Sequence, residues 1–234
     1  MKKTRIKLKA ISIAAALTFA LSPVFALSAC GELGKLMNAA SSLSDIAGDM
    51  EKYEKAAAKL TNYKITIEST SESGSKSAMT EMRCEQGYSW ITDDAVTYVE
   101  YGTGKMYYLS ISDKTGMSYP LEDEDSYKNF GVGISGYLYA FEIYRLLGAK
   151  KDGSEKINGR NTTKYTFSAE GKDCTFWIDN EYGLTMKFSI KSSDGTNSME
   201  VTEFKTGGVK LSDMVNLGDY EIQDLSKMLE EYGQ

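Results

Sequence analysis

Hydrophobic and polar residues alternate in two long stretches of the chain. Tyr63, Ile65 and Ile67 alternate with polar neighbours, and residues 174–178 and 184–190 repeat the pattern. A period of two predicts β-strands, and the turn signals between the segments, such as residues 102–104, are short. Because parallel strands need crossovers of a dozen or more residues, this spacing predicts a long antiparallel meander.

Three segments have the periodicity of helices. A stripe of apolar residues predicts an amphipathic helix that ends near Leu60, and a short C-terminal helix is predicted around Leu229. Between the two halves of the meander, residues 134–147 are apolar around most of a helical circumference. We expect this central helix either to fill the concave face of the sheet or to line a cavity there.

One predicted hairpin has tyrosines at both odd and even positions, so that they point to both faces of its strands. Tyr98, Tyr101, Tyr107 and Tyr108 alternate so that neither face of the hairpin is free of them. Some of these rings must therefore be exposed or lie under a neighbouring element, and they are the candidates for a contact patch with a partner.

The first thirty residues indicate export. Five basic residues precede an uncharged, mostly apolar run over 10–29, which is the pattern of a signal peptide. The run ends in Leu27-Ser28-Ala29-Cys30, which resembles the lipobox of bacterial lipoproteins. That resemblance implies cleavage before Cys30 and acylation of its thiol, including a palmitate-type chain. The protein is then expected to be anchored to the outer face of the cell membrane, or to the outer membrane if the organism has one. Cleavage by ordinary signal peptidase after Ala26 or Ser28, or an uncleaved anchor, are the alternatives.

Composition and charge exclude several functions. The 234 residues include no histidine, which removes Ser-His-Asp hydrolysis and His-ligated metal sites. Without residues 1–29 the chain has 22 basic and 33 acidic residues, a net charge of -11. An acidic body of this kind is not expected to bind nucleic acid or to lie flat on anionic lipid. We expect no catalytic residues, no metal site and no cofactor.

Two further cysteines follow Cys30. Cys84 and Cys174 both fall in predicted strands. In an exported protein they are able to form one disulfide, whereas two isolated buried thiols are the alternative.

Three motifs resemble successive strand signatures of LolA-like lipoproteins. They are Ile157-Asn158-Gly159-Arg160-Asn161-Thr162-Thr163-Lys164-Tyr165, Phe176-Trp177-Ile178-Asp179-Asn180-Glu181-Tyr182-Gly183-Leu184 and Met214-Val215-Asn216-Leu217-Gly218-Asp219-Tyr220. The resemblance covers about residues 45–222 and implies a half-open antiparallel barrel, with helices over its mouth and a hydrophobic cavity for acyl chains. None of these motifs is catalytic.

These observations together predict an α+β, mostly β protein: a curved antiparallel sheet, as a LolA-like half-open barrel, covered on its concave face by helices. Residues 1–29 form the signal, 30–44 the lipidated cysteine and tether, and 45–234 one domain. The expected function is non-enzymatic binding of a lipid, lipoprotein or other hydrophobic ligand by a membrane-anchored, extracytoplasmic monomer. The alternative is a module without a cavity that binds a protein or cell-wall polymer. The predicted cavity residues are Leu138, Phe141, Ile143, Tyr144, Leu147, Trp90, Phe176, Ile178, Met186 and Phe188.

Overall fold

The computed structural model of the chain describes residues 55–56, 59–121, 149–169 and 171–226, within a compact unit that spans residues 39–234. The described part is dominated by β-strands. Their bounds are β1 (Tyr63–Thr70), β2 (Lys76–Cys84), β3 (Gly87–Thr92), β4 (Ala95–Glu100), β5 (Lys105–Ser110), β6 (Thr115–Pro120), β7 (Lys150–Ile157), β8 (Arg160–Ala169), β9 (Lys172–Asp179), β10 (Thr185–Lys191), β11 (Thr196–Thr206) and β12 (Glu221–Asp224).

The strands form a single open sheet. Their order is β12-β6-β5-β4-β3-β2-β1-β11-β10-β9-β8-β7, so that most neighbours are also adjacent in sequence. β1 pairs with β11 in antiparallel register and joins the two meanders, while β12 pairs with β6 in parallel. The predicted antiparallel meander is therefore confirmed.

The predicted half-open barrel with a helical cover was wrong. The sheet does not close, and helices contribute little cover in the part of the chain that the structure describes. Lys55 and Ala56 are the helical residues of the predicted N-terminal helix that are described. The central helix at 134–147 and most of the C-terminal helix lie outside the described residues. Alternation fixed the strands correctly, but the curvature that closes a barrel depends on register and bulges, which periodicity does not encode.

The sheet has two different faces, defined by the alternation along β1. Tyr63, Ile65 and Ile67 lie on the face that we call face A, and Lys64 and Thr66 lie on the opposite face B. On face A the buried apolar side chains run from Val99 on β4 to Phe167 on β8. Face B is apolar over β2–β5 and at Ile222 of β12, and it is mostly polar over β1, β11, β10 and β9. Strands that are apolar on both faces do not alternate cleanly between apolar and polar residues.

An irregular segment covers the apolar part of face B. Residues 207–220, which we call the strap, contain two short 3-10 turns at Leu211–Asp213 and Leu217–Asp219. The strap packs Met214 and several partly buried apolar residues on Met82, Val96 and Leu109. The apolar burial on this part of face B therefore comes from an irregular segment.

Two of the four tyrosines of the predicted hairpin are buried. Tyr98 is buried on face B and its ring centroid lies 5.7 Å from that of Tyr107. Tyr101 is buried in a separate cluster with Tyr88 and Val99. The interpretation of Tyr98 and Tyr101 as a contact patch was therefore wrong, since both belong to the core.

The C-terminal half of the sheet coils tightly. Asn158, in the turn between β7 and β8, donates a hydrogen bond to the carbonyl oxygen of Val201 on β11. The Arg160 guanidinium stacks on the ring of Phe204, 5.0 Å from its centroid, and forms two hydrogen bonds to the Asp179 carboxylate. In a flat sheet β8 and β11 would be about 14 Å apart at roughly 4.8 Å per strand, so these contacts show that the strands curl toward one another.

Candidate functional site

A groove on face B is the candidate ligand site. It lies where the strap leaves β11 and crosses β1, β2 and β3, and it has a volume of about 610 Å³. The buried side chain of Met82 belongs to the hydrophobic cluster under the strap, as do the partly buried Ile91 and Val209. The groove is lined by Lys64, Thr80, Met82, Ile91, Lys205, Gly207, Gly208, Val209 and Asp213.

Two lysines give the groove a cationic side. Lys64 on β1 and Lys205 on β11 lie directly opposite each other in the register, an arrangement that is unfavourable for like charges. The Glu203 carboxylate relieves it, because Glu203 Oε2 lies 2.7 Å from Lys64 Nζ and Oε1 lies 2.6 Å from Lys205 Nζ. Hydrogen bonds from Lys205 and Lys64 lower the pKa of Glu203 to about 2.

Asn62 fixes the strap at the groove. Its side-chain amide donates to the Val209 carbonyl oxygen at 2.8 Å, and its side-chain oxygen accepts from the Val209 amide at 2.9 Å. The Asn62 carbonyl oxygen also accepts from the Gly207 amide at 2.7 Å. Gly207 and Gly208 both have φ near +80°, a conformation that glycine adopts readily. The strap therefore begins at a rigidly held turn.

The carboxyl group of Glu81 is buried on face A of β2, the strand whose face B lines the groove. Glu81 is 1% exposed, is flanked by Ile65 and Trp90, and accepts a hydrogen bond from the Tyr63 hydroxyl. Burial raises the pKa of Glu81 to about 7, while the hydrogen bond from Tyr63 and the charge of Arg83 oppose that rise. A carboxyl in this environment is poised to titrate near neutral pH.

The predicted cavity residues that the structure describes share one face. Trp90, Phe176, Ile178, Met186 and Phe188 all lie on face A, where Ile178 and Met186 are fully buried. Phe176 and Phe188 are direct cross-strand neighbours, whereas Trp90 lies several strands away from β10. None of the five lines the groove on face B. The other predicted cavity residues, Leu138, Phe141, Ile143, Tyr144 and Leu147, lie outside the described residues, as does Cys30.

The two described cysteines lie far apart in the sheet. Cys84 is buried on face B of β2, and Cys174 is buried on face A of β9. Three strands lie between β2 and β9 in the sheet. No disulfide joins the two cysteines in this structure.

Within the described ranges no group of three or more Asp, Glu or Cys side chains is arranged to hold a metal ion. In the same part of the chain, no helix has the length and apolar character needed to cross a bilayer.

Sequence reasoning missed both the groove and the buried carboxyl. Glu81 alternates with Met82, and its parity predicts a solvent-facing position because the sequence places the apolar face at Met82 and Cys84. The groove had one usable signal, the Gly207-Gly208 pair before the apolar residues of the strap, which indicates a turn followed by a covering segment.

Comparison with known proteins gives likeness of fold at low identity. No family model matches the chain, and neither does any curated protein. Solved structures similar to it include an uncharacterized conserved protein from Thermus thermophilus, with 9% identity and a TM-score of 0.45 over 77% of this chain and 99% of that one. The MucA/MucB complex structure of Pseudomonas aeruginosa has 12% identity and a TM-score of 0.44, and the match covers 75% of this chain and 63% of that chain.

A LolA superfamily protein from Nitrosomonas europaea is also similar, with 6% identity and a TM-score of 0.29 over 73% of this chain and 97% of that one. The superfamily that the sequence motifs resemble is thus among the structural neighbours. All three TM-scores lie below 0.5.

Proposed function

We propose that the protein is an exported lipoprotein, anchored through Cys30, whose folded body is a non-enzymatic binding module with the groove on face B as its ligand site. The observation that carries this proposal is the groove itself: about 610 Å³ beside Met82, Ile91 and Val209, with lysines on one side. Small-molecule sites are of this size and combine an apolar lining with a few placed polar groups.

The ligand that fits this groove is an amphiphile with one apolar chain. Burying apolar area is worth about 25 cal/mol per Å², and Met82, Ile91 and Val209 supply that area without a catalytic group among them. The polar end of such a ligand would lie toward Lys64 and Lys205. A role as an anchored receptor also fits the acidic body, because the chain without its signal has no basic excess to hold it on anionic lipid.

Co-purification tests the proposal. We would purify the full chain with Cys30→Ser, which prevents acylation, from a bacterial host, extract it with organic solvent and identify bound lipid by mass spectrometry beside a native mass. We expect a lipid of stoichiometric amount, or one that is taken up from membrane extract. A mass equal to that of the protein alone, before and after incubation, would contradict a ligand-binding function.

Matched variants locate the site. Ile91→Gln places an amide in the groove lining, whereas Ile111→Gln makes the same change at another partly buried isoleucine of the same cluster, outside the groove. We expect ligand uptake to fall for Ile91→Gln and to persist for Ile111→Gln, with similar losses of stability. Equal uptake by the two variants would show that the ligand does not bind in this groove.

A second function, binding of a cell-wall polymer, is favoured by one observation on the polar part of face B. Trp177 is half-buried there, its indole N–H donates to Glu155 Oε2 at 2.8 Å, and Lys187 Nζ lies 5.5 Å from the ring centroid. An aromatic ring held among polar side chains suits a sugar or protein surface. If this surface binds, Trp177→Ala abolishes retention on purified cell walls and Ile91→Gln does not.

A further inference from the structure

The carboxylate of Glu203 lies between two lysines of the groove lining, Lys64 and Lys205. Its two oxygens separately contact Lys64 Nζ and Lys205 Nζ, at 2.7 and 2.6 Å. Each ammonium group has three N–H donors, so the contacts to Glu203 leave donors on both lysines. The spacing of the two ammonium groups is therefore already set for an anion that bridges them.

The lysines are accessible to such an anion. The side chains of Lys64 and Lys205 are 36% and 70% exposed, and that of Glu203 is 28% exposed. The acidic residue of the groove lining, Asp213, accepts a hydrogen bond from the Lys210 backbone amide at 2.8 Å, which caps the first turn of the strap. The lining of the groove thus carries two cations against one carboxylate, which favours a negatively charged partner.

From this arrangement we infer that the groove takes a single-chain amphiphile with an anionic head group, a carboxylate or a phosphate monoester. The head group displaces Glu203 from between Lys64 and Lys205, and the chain lies along Met82 and Ile91. Glu203 then acts as an internal competitor for the ligand. This inference rests on the proposed function and adds the class of ligand to it.

Charge variants at the groove test the inference against a control on the same face. Glu203→Gln removes the internal competitor, and Lys64→Gln and Lys205→Gln each remove one cation. Glu200→Gln serves as the matched control, because Glu200 forms a comparable ion pair with Lys187 at 2.8 Å outside the groove lining. Partly exposed pairs of this kind contribute little to stability, so all four variants are expected to fold.

Isothermal titration of the full Cys30→Ser chain would use dodecanoate, dodecyl phosphate, 1-dodecanol and dodecyltrimethylammonium below their micelle concentrations. We expect Glu203→Gln to bind the two anions about fivefold more tightly and each lysine variant about fivefold more weakly, a change typical of one exposed charge contact. Glu200→Gln should match the parent chain, and binding of the alcohol should not respond to any of the variants. Tighter binding of dodecanoate than of dodecyl phosphate would assign the head group to a fatty acid, and the reverse order would assign it to a phosphate monoester.

Two results would overturn the inference. In one, Glu203→Gln leaves the affinity for both anions unchanged or lowers it. In the other, the alcohol or the ammonium probe binds as tightly as the anions, in which case the groove binds amphiphiles but does not select negative charge. Absence of binding by all four probes would instead contradict the proposed function itself.

Discussion

Raising the pH should destabilise this protein through one buried carboxyl. Glu81 has a pKa of about 7 in the folded chain against an ordinary value of 4.5, chiefly because burial disfavours its charged form. Below pH 4.5 the carboxyl is neutral in both the folded and the unfolded state. Between pH 4.5 and about 7 only the unfolded state loses the proton, so the free energy of unfolding falls as the pH rises. Above about pH 7 the loss is complete.

The expected loss is about 3 kcal/mol, from about 1.4 kcal/mol for each pH unit between the two pKa values. That is a large part of the stability of a typical domain. Glu81→Gln provides the comparison, because glutamine keeps the size of the side chain and an oxygen that accepts the hydrogen bond of Tyr63. It removes the charge that burial penalises.

Urea unfolding of both proteins between about pH 4 and pH 8.5, followed by tryptophan fluorescence, measures this loss. Taking the difference between the two at each pH cancels the titration of the other acidic residues. We expect Glu81→Gln to gain about 3 kcal/mol relative to the parent chain across this range. In Tyr63→Phe the fall in the free energy of unfolding should continue above pH 7, because the Tyr63 hydrogen bond lowers the pKa of Glu81. If the difference in the free energy of unfolding between Glu81→Gln and the parent chain does not change with pH, Glu81 is not the group that causes the loss.

Three substitutions test the packing of the strap and the coiled half of the sheet. Asn62→Ala removes two side-chain hydrogen bonds to the strap and should cost about 2 kcal/mol; unchanged proteolysis of the strap would argue against this role. Asp179→Ala leaves the partly buried Arg160 guanidinium with Glu181 as its remaining carboxylate partner, and a loss of about 2–3 kcal/mol in denaturant unfolding is expected, whereas less than about 1 kcal/mol would show the pair to be dispensable. Gly87→Ala would place a Cβ 2.6 Å from the Val99 carbonyl oxygen and 2.7 Å from Leu211 Cδ1, so a lower melting temperature is expected, and an unchanged one would mean that the backbone yields there.

The strands could be predicted from sequence because their chemistry is local. Tyr63, Ile65 and Ile67 alternate with polar residues and lie on one face as expected, and the Asp194-Gly195 signal lies in the turn between β10 and β11. A short antiparallel strand needs only its own alternation and a turn residue on each side. The order of neighbouring strands follows from the short turns between them.

The cover of the sheet could not be predicted in the same way. The apolar residues of the strap, such as Val209, Leu211 and Met214, have neither helical nor strand spacing, and they become a core element only because β2–β6 offer them an apolar surface. The position of Glu81 was missed for a related reason. Where both faces of a sheet are buried, alternation no longer separates inside from outside.

The order of the strands also bears on when the fold forms. Among the described elements, the cover of face B over β2–β6 and the partner of β1 both come from residues 196–224, close to the end of the chain. During synthesis, the first meander would therefore expose an unpaired strand edge and an apolar surface until residues 196–224 have emerged. Such edges and surfaces are sites of aggregation. Completion of this fold thus depends on its last segment, and a chain threaded through a membrane from its N-terminus would complete it only on the far side.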